Sequence, residues 1–183
     1  MTRLRIQAIN QKYVRVTGIN SLLAACLQEL PRILESRDNP SAQARLLPPP
    51  TAEDAAINHE WKESIEPDLR HLLVSASETI TRDLTCLKPS PRLAECSFVT
   101  FPATHISAWM SALNQARLIL AALANVDEID LNLPYSRLGG EKVLAVLQID
   151  LFGQLLGRFV ERELGPAREI KPKRPKSKRR TRP

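Results

Sequence analysis

HISAWMSALNQARLILAALAN, residues 105–125, is the stretch on which the fold turns. Ile106, Trp109, Met110, Leu113, Leu120 and Leu123 recur at three- and four-residue spacing, which gathers them on one face of a helix. Thr104 stands where a capping residue would, just after Pro102. Arg117 falls inside the apolar face. A guanidinium there needs an acid or several carbonyls, because an unpaired buried charge is costly. The expected role of Arg117 is an internal ion pair tying this helix to another, for instance to one of the acids of residues 53–68; the alternative is an anion-binding arginine.

Downstream, residues 126–140 read as a connector carrying Asp127, Glu128, Asp130 and Gly139-Gly140. A last helix is predicted from about 141 to 164. Its stretch Val143 to Phe159 is apolar around most of the circumference, with a narrow stripe of Asp150, Gln154 and Glu161, so it belongs in a core or a subunit interface. Gly165-Pro166 stops it.

Upstream, ECSFVTF (95–101) is a short strand candidate. Leu69, Leu72, Leu73, Ala76, Ile80 and Leu84 define a helix over 67–87, separated by Pro67 from another over 52–65. Thr51 with Asp54 resembles a capping box. Residues 36–52, with Pro48-Pro49-Pro50, read as a loop. A helix over 21–35, capped by Asn20 or Ser21, is expected to kink or split at Pro31. LRIQAI (4–9) and KYVRVT (12–17) alternate apolar and polar residues around Asn10-Gln11 and predict a hairpin. The fold class is therefore mainly α: a compact helical domain of about five helices over 1–165, with a small N-terminal β-hairpin, a candidate third short strand, and a disordered basic tail over 166–183.

The chain has 183 residues, 43% apolar, 25% charged and 4% aromatic, enough to bury a core filled mainly by aliphatic side chains. The net charge of +6 is unevenly placed. Residues 168–183 hold nine Lys or Arg against Glu169, which leaves 17 basic and 19 acidic residues elsewhere, a net of −2. The tail cations Lys171, Lys173, Arg174, Lys176, Lys178, Arg179, Arg180 and Arg182 suit non-specific, salt-sensitive contact with nucleic acid, ribosome or an acidic protein. No signal peptide is evident, and the longest strongly apolar stretch, Leu118 to Ala124, is read as too short to span a bilayer. A cytoplasmic protein without a membrane segment is expected.

Catalytic motifs are absent. His59, His71 and His105 are scattered, and HEWKE (59–63) lacks the second His of a zinc helix. Gly139-Gly140 has no phosphate-loop context, and no serine sits in a nucleophile elbow. Neither cofactor nor metal is expected. The odd cysteine count (Cys26, Cys86, Cys96) fits a reducing compartment. Cys86 and Cys96 form a redox pair if a turn at Pro89 to Pro91 brings them together, and otherwise are inert thiols.

Two segments carry a resemblance: RLLPPPTAEDAAINHEWKESIEPDLRHLL (45–73) and WMSALNQARLILAALANV (109–126). Both are similar, in this order, to the bacterial family of domain of unknown function number 2017, over roughly residues 20–126. Ala112-Leu113-Asn114 and Arg117-Leu118 are its most specific part; Gln115 replaces a usual acid and Ala121 a usual glycine. The resemblance implies a small helical cytoplasmic protein, often encoded beside the adaptor of the Clp protease, with no established catalytic residues. Asn114 and Arg117 match the motif and suit a helix–helix contact.

The function expected from all this is a non-enzymatic regulatory or adaptor protein working through an unidentified protein partner or as a homodimer, with a link to Clp proteolysis or stress regulation. The alternatives are nucleic-acid or ribosome association through the tail, and a thiol redox switch.

Overall fold

A computed structural model describes residues 4–91 and 95–164. Seven α-helices and four strands lie within them. The chain opens with β1 (Arg5–Ala8) and β2 (Tyr13–Asn20), the expected hairpin. Its turn is organised by Asn10, whose Oδ1 accepts from the N–H groups of Lys12 and Tyr13 at 2.8 and 2.9 Å.

Helix α1 (Ser21–Glu35) follows at once, with Asn20 Oδ1 accepting from Leu23 N–H at 2.8 Å. It runs unbroken through Pro31, so the expected split at Leu30 does not occur. Leu23, Leu27, Leu30 and Leu34 are buried on both sides of that proline, and their packing outweighs the missing backbone bond. Residues 36–52 are not a simple loop. They hold a short helix, α2 (Pro40–Leu46), with Asn39 as cap and Pro40 in the first turn.

Next come α3 (Ala55–Ser64) and α4 (Glu66–Leu84). Asp54 rather than Thr51 caps α3, accepting from Ala56 and Ile57. Thr51 braces the same turn by accepting from Asp54 N–H at 2.9 Å. A two-residue strand β3 (Lys88–Pro89) and then β4 (Cys96–Pro102) follow, confirming the third strand candidate and adding a fourth. Helix α5 (Ile106–Leu123) begins from a 3-10 turn over Ala103–His105, with no side-chain cap from Thr104. The connector contains α6 (Glu128–Asn132), closed by a reciprocal Asp127–Asp130 capping box. Helix α7 (Gly140–Leu164) ends the described chain.

The sheet is antiparallel in the order β1-β2-β4-β3, so β4 is a central strand. Ile6 pairs with Val16 and Val16 with Val99, while Val14 pairs with Phe101; these residues point to one face. The register shifts between Val16 and Ile19, where Gly18 takes φ 74°, a conformation that favours glycine. Helices cover the Val14/Val16/Val99/Phe101 face. Across it the Phe101 ring stacks on Trp109 of α5 (centroids 4.6 Å apart, 13° between planes), and Phe159 of α7 meets both rings at 6.2 and 5.9 Å. Aliphatic side chains line most of the core, but the joint between sheet and helices is aromatic. Helix α5 lies centrally, packed against α1, α2, α4 and α7.

One reading of hydropathy needs correction. Gly140–Glu163 is long and apolar enough to cross a membrane by length and composition, with mean hydropathy 1.5. In the fold one face of this helix, with Ala145, Val146, Ile149, Phe152, Leu155 and Phe159, is buried against the rest of the domain, and 39% of its apolar window is buried in all.

Candidate interaction groove

Helices α1, α5 and α7 do not close completely against one another. Between them runs a groove of about 430 Å³, lined by Ala25, Cys26 and Ile33 of α1, Leu120 of α5 and Gln148 of α7. Three exposed leucines line it along its length, one from each helix: Leu22 (45% exposed), Leu123 (48%) and Leu144 (59%). On one rim Arg32 Nε donates to Glu29 Oε2 at 2.8 Å. Burial pushes the Cys26 thiol up, which keeps it protonated and unreactive.

The end of the bundle beside the groove is held by polar ties. Lys142 Nζ donates to Asp130 Oδ2 at 2.6 Å, fixing α6 to the start of α7. That hydrogen bond, with the backbone bond at Asp127, holds the Asp130 carboxyl below the usual range. Tyr135 donates to Asp150 Oδ2 at 2.6 Å, which pushes the phenol up.

A second cleft, of about 330 Å³, lies between α2, α3 and α4 and is lined by Trp61, Lys62, Glu66 and Arg70. Two of its charges pair on its wall. Arg70 Nη2 lies 2.6 Å from the buried Glu66 Oε1, and Nε donates to the same oxygen at 2.7 Å.

Arg117 forms no ion pair among the described residues. Its side chain lies along α7 instead: a Cβ built at Gly153 would sit 3.5 Å from Arg117 Nε. That nitrogen is buried without a hydrogen-bond partner. The ion pair with residues 53–68 fails because α5 turns position 117 toward α7, while α4 is reached by Gln115. Gln115 Nε2 donates to the Leu73 carbonyl at 3.3 Å and to Ser111 Oγ at 3.2 Å. Asn114 is exposed on α5.

Cys86 and Cys96 are not brought together. Lys88 pairs with Phe98 and Pro89 with Ser97, and Ser90 N–H donates to the Cys96 carbonyl at 2.7 Å. Cys96 is thus opposite Ser90, while Cys86 lies four residues earlier, in the turn that ends α4. Cys86 is exposed, Cys96 is buried, and both are free thiols. The tail cations Lys171, Lys173, Arg174, Lys176, Lys178, Arg179, Arg180 and Arg182 lie outside the described residues.

One polar cluster had no sequence signal. Asp83 of α4 is buried, and its carboxylate accepts from Trp109 Nε1 at 2.9 Å and contacts His105 Nδ1 at 3.0 Å. It fastens α4 to α5. Among the described residues no group of three or more His, Cys, Asp or Glu could hold a metal ion.

A family model described as Domain of unknown function (DUF2017) matches residues 16–156. The chain belongs to this family. The DUF2017 match begins within β2 and ends in α7, so it takes in all three walls of the groove and leaves β1 and the cationic tail outside. No curated protein and no solved structure matches the chain.

Proposed function

We propose that the protein is a non-enzymatic regulatory or adaptor module that binds an amphipathic helix of another protein in the α1/α5/α7 groove. The observation that carries this reading is one apolar channel lined along its length by three exposed leucines, Leu22, Leu123 and Leu144, each from a different helix. Clustered exposed apolar side chains mark interaction sites, and a groove between helices suits a partner helix with apolar residues at i, i+3/i+4 and i+7. The family resemblance adds a direction, toward Clp proteolysis or stress regulation in a bacterial cytoplasm.

The test uses a photoreactive residue at position 123 in the full chain, with Leu22→Asp/Leu144→Asp in the same background as the comparison. A crosslinked partner, or a crosslinked second copy of the chain, that disappears with the charged leucines supports the groove. Identical crosslinks from both preparations place the contact elsewhere and overturn the reading.

A further inference from the structure

Among the described residues, no helix covers the second face of the sheet. Strand alternation points Arg5 and Gln7 of β1, Tyr13 and Arg15 of β2, Phe98 of β4 and Lys88 of β3 away from the core. Tyr13 is 45% exposed, and Arg5, Arg15 and Lys88 are exposed. The four strands contain no Asp or Glu, in a chain whose residues before 168 carry a net negative charge. Arg15 is fixed in place: its Nε donates to Thr100 Oγ1 at 3.1 Å, and its guanidinium carbon lies 5.1 Å from the Phe98 ring centroid. The Nη groups of Arg15 make no hydrogen bond among the described residues. The surface thus joins two aromatic rings to cationic and amide donors on strands without an acid, and Glu161 of α7 lies at its β1 edge, beside Arg5.

We propose that this open sheet face binds single-stranded nucleic acid, with a base stacked on Tyr13 and phosphates held by Arg5, Arg15 and Lys88. Charge selects a polyanion. The aromatic rings select one with unpaired bases, because bases inside a duplex have no free face to offer. Stacking selects a sequence-tolerant strand, since every base has a π-face to lay on a ring. The site is separate from the helical groove, and it uses residues other than the cations of 168–183, a segment without an aromatic ring for stacking.

Fluorescence anisotropy on the full chain tests it, with labelled oligouridine and oligothymidine of about ten nucleotides, a duplex of the same length, and vesicles containing anionic lipid. Residues 168–183 are present in every preparation, so their contribution is common to all. Tyr13→Ala is expected to weaken both single strands by about fivefold or more while leaving the duplex unchanged. Arg15→Gln should weaken all nucleic acids and flatten the salt dependence. A preference between the ribo- and deoxyribo-oligomer identifies which strand is bound. Wild-type binding of single strands that Tyr13→Ala leaves intact overturns the proposal, as does absence of single-strand binding at low salt. Equal losses for duplex or vesicles on Tyr13→Ala also overturn it, because they describe a surface that does not distinguish bases. Thermal melts confirm that the exposed substitutions leave the fold in place.

Discussion

Trp109 Nε1 donates to Asp83 Oδ2 at 2.9 Å, and this single contact joins the aromatic core to the buried polar edge of α4. The same indole stacks on Phe101, so α4, α5 and β4 meet at one side chain. Replacing Asp83 with Ala would leave the indole N–H and the His105 Nδ1 without their acceptor in a buried site. The expected loss is about 2–3 kcal/mol in urea unfolding. Asp83→Asn, which keeps an acceptor oxygen, should lose less.

Arg117 gives the opposite expectation. Its Nε is buried and unpartnered, so the side chain contributes stem packing but bears a desolvation cost. Arg117→Met keeps the stem and removes the cost. Stability unchanged or raised by about 1 kcal/mol is expected, whereas a loss beyond that range would reveal an ion pair that forms in solution.

Gly153 provides a companion measurement. A Cβ there meets Arg117 Nε at 3.5 Å, ordinary contact, and Ala is a far better helix former than Gly. Gly153→Ala should stabilise by about 0.5–1 kcal/mol. Gly153→Leu should destabilise, since the added atoms must displace the guanidinium.

The Asp130–Lys142 bond predicts a pH dependence. The folded carboxyl sits below its unfolded value of about 3.9, so its contribution is present above that pH and is lost as pH falls through the folded pKa. Lys142→Met should therefore lower the Tm at neutral pH, and the gap to wild type should close in strong acid. A gap that persists there would assign the effect to packing.

The three thiols should separate by accessibility. Cys86 is exposed, while Cys26 and Cys96 are buried. Under native conditions a maleimide should label Cys86 quickly and the other two only after unfolding. A mild oxidant should produce no Cys86–Cys96 disulfide within a chain.

The parts legible in the sequence were those with local causes. Alternation at Ile6, Val14 and Val16 showed the hairpin, and 3.6-residue spacing showed α1, α4, α5 and α7. Helices α2 and α6 had local signals too, in Asn39-Pro40 and in Asp127 with Asp130, but runs of seven and five residues are too short for periodicity to register. The place of β4 between β2 and β3 is a tertiary choice that no local pattern encodes. The same holds for the site. Leu22, Leu123 and Leu144 are recognisably apolar, yet their exposure depends on how three helices splay. Arg117 was visible as an anomaly, but its neighbour Gly153 could be learned only from the packing of α5 on α7.

The strand order has a consequence for how the chain is made. Val16 pairs with Val99, so β2 waits for a partner synthesised about 80 residues later, a delay of roughly 4–16 s at ordinary translation rates. During that interval the hairpin has an open edge where β4 will insert, next to the apolar residues Val14, Val16 and Ile19. The newborn chain is most prone to aberrant pairing in this window, and a chaperone that recognises extended apolar segments would find its target at β2.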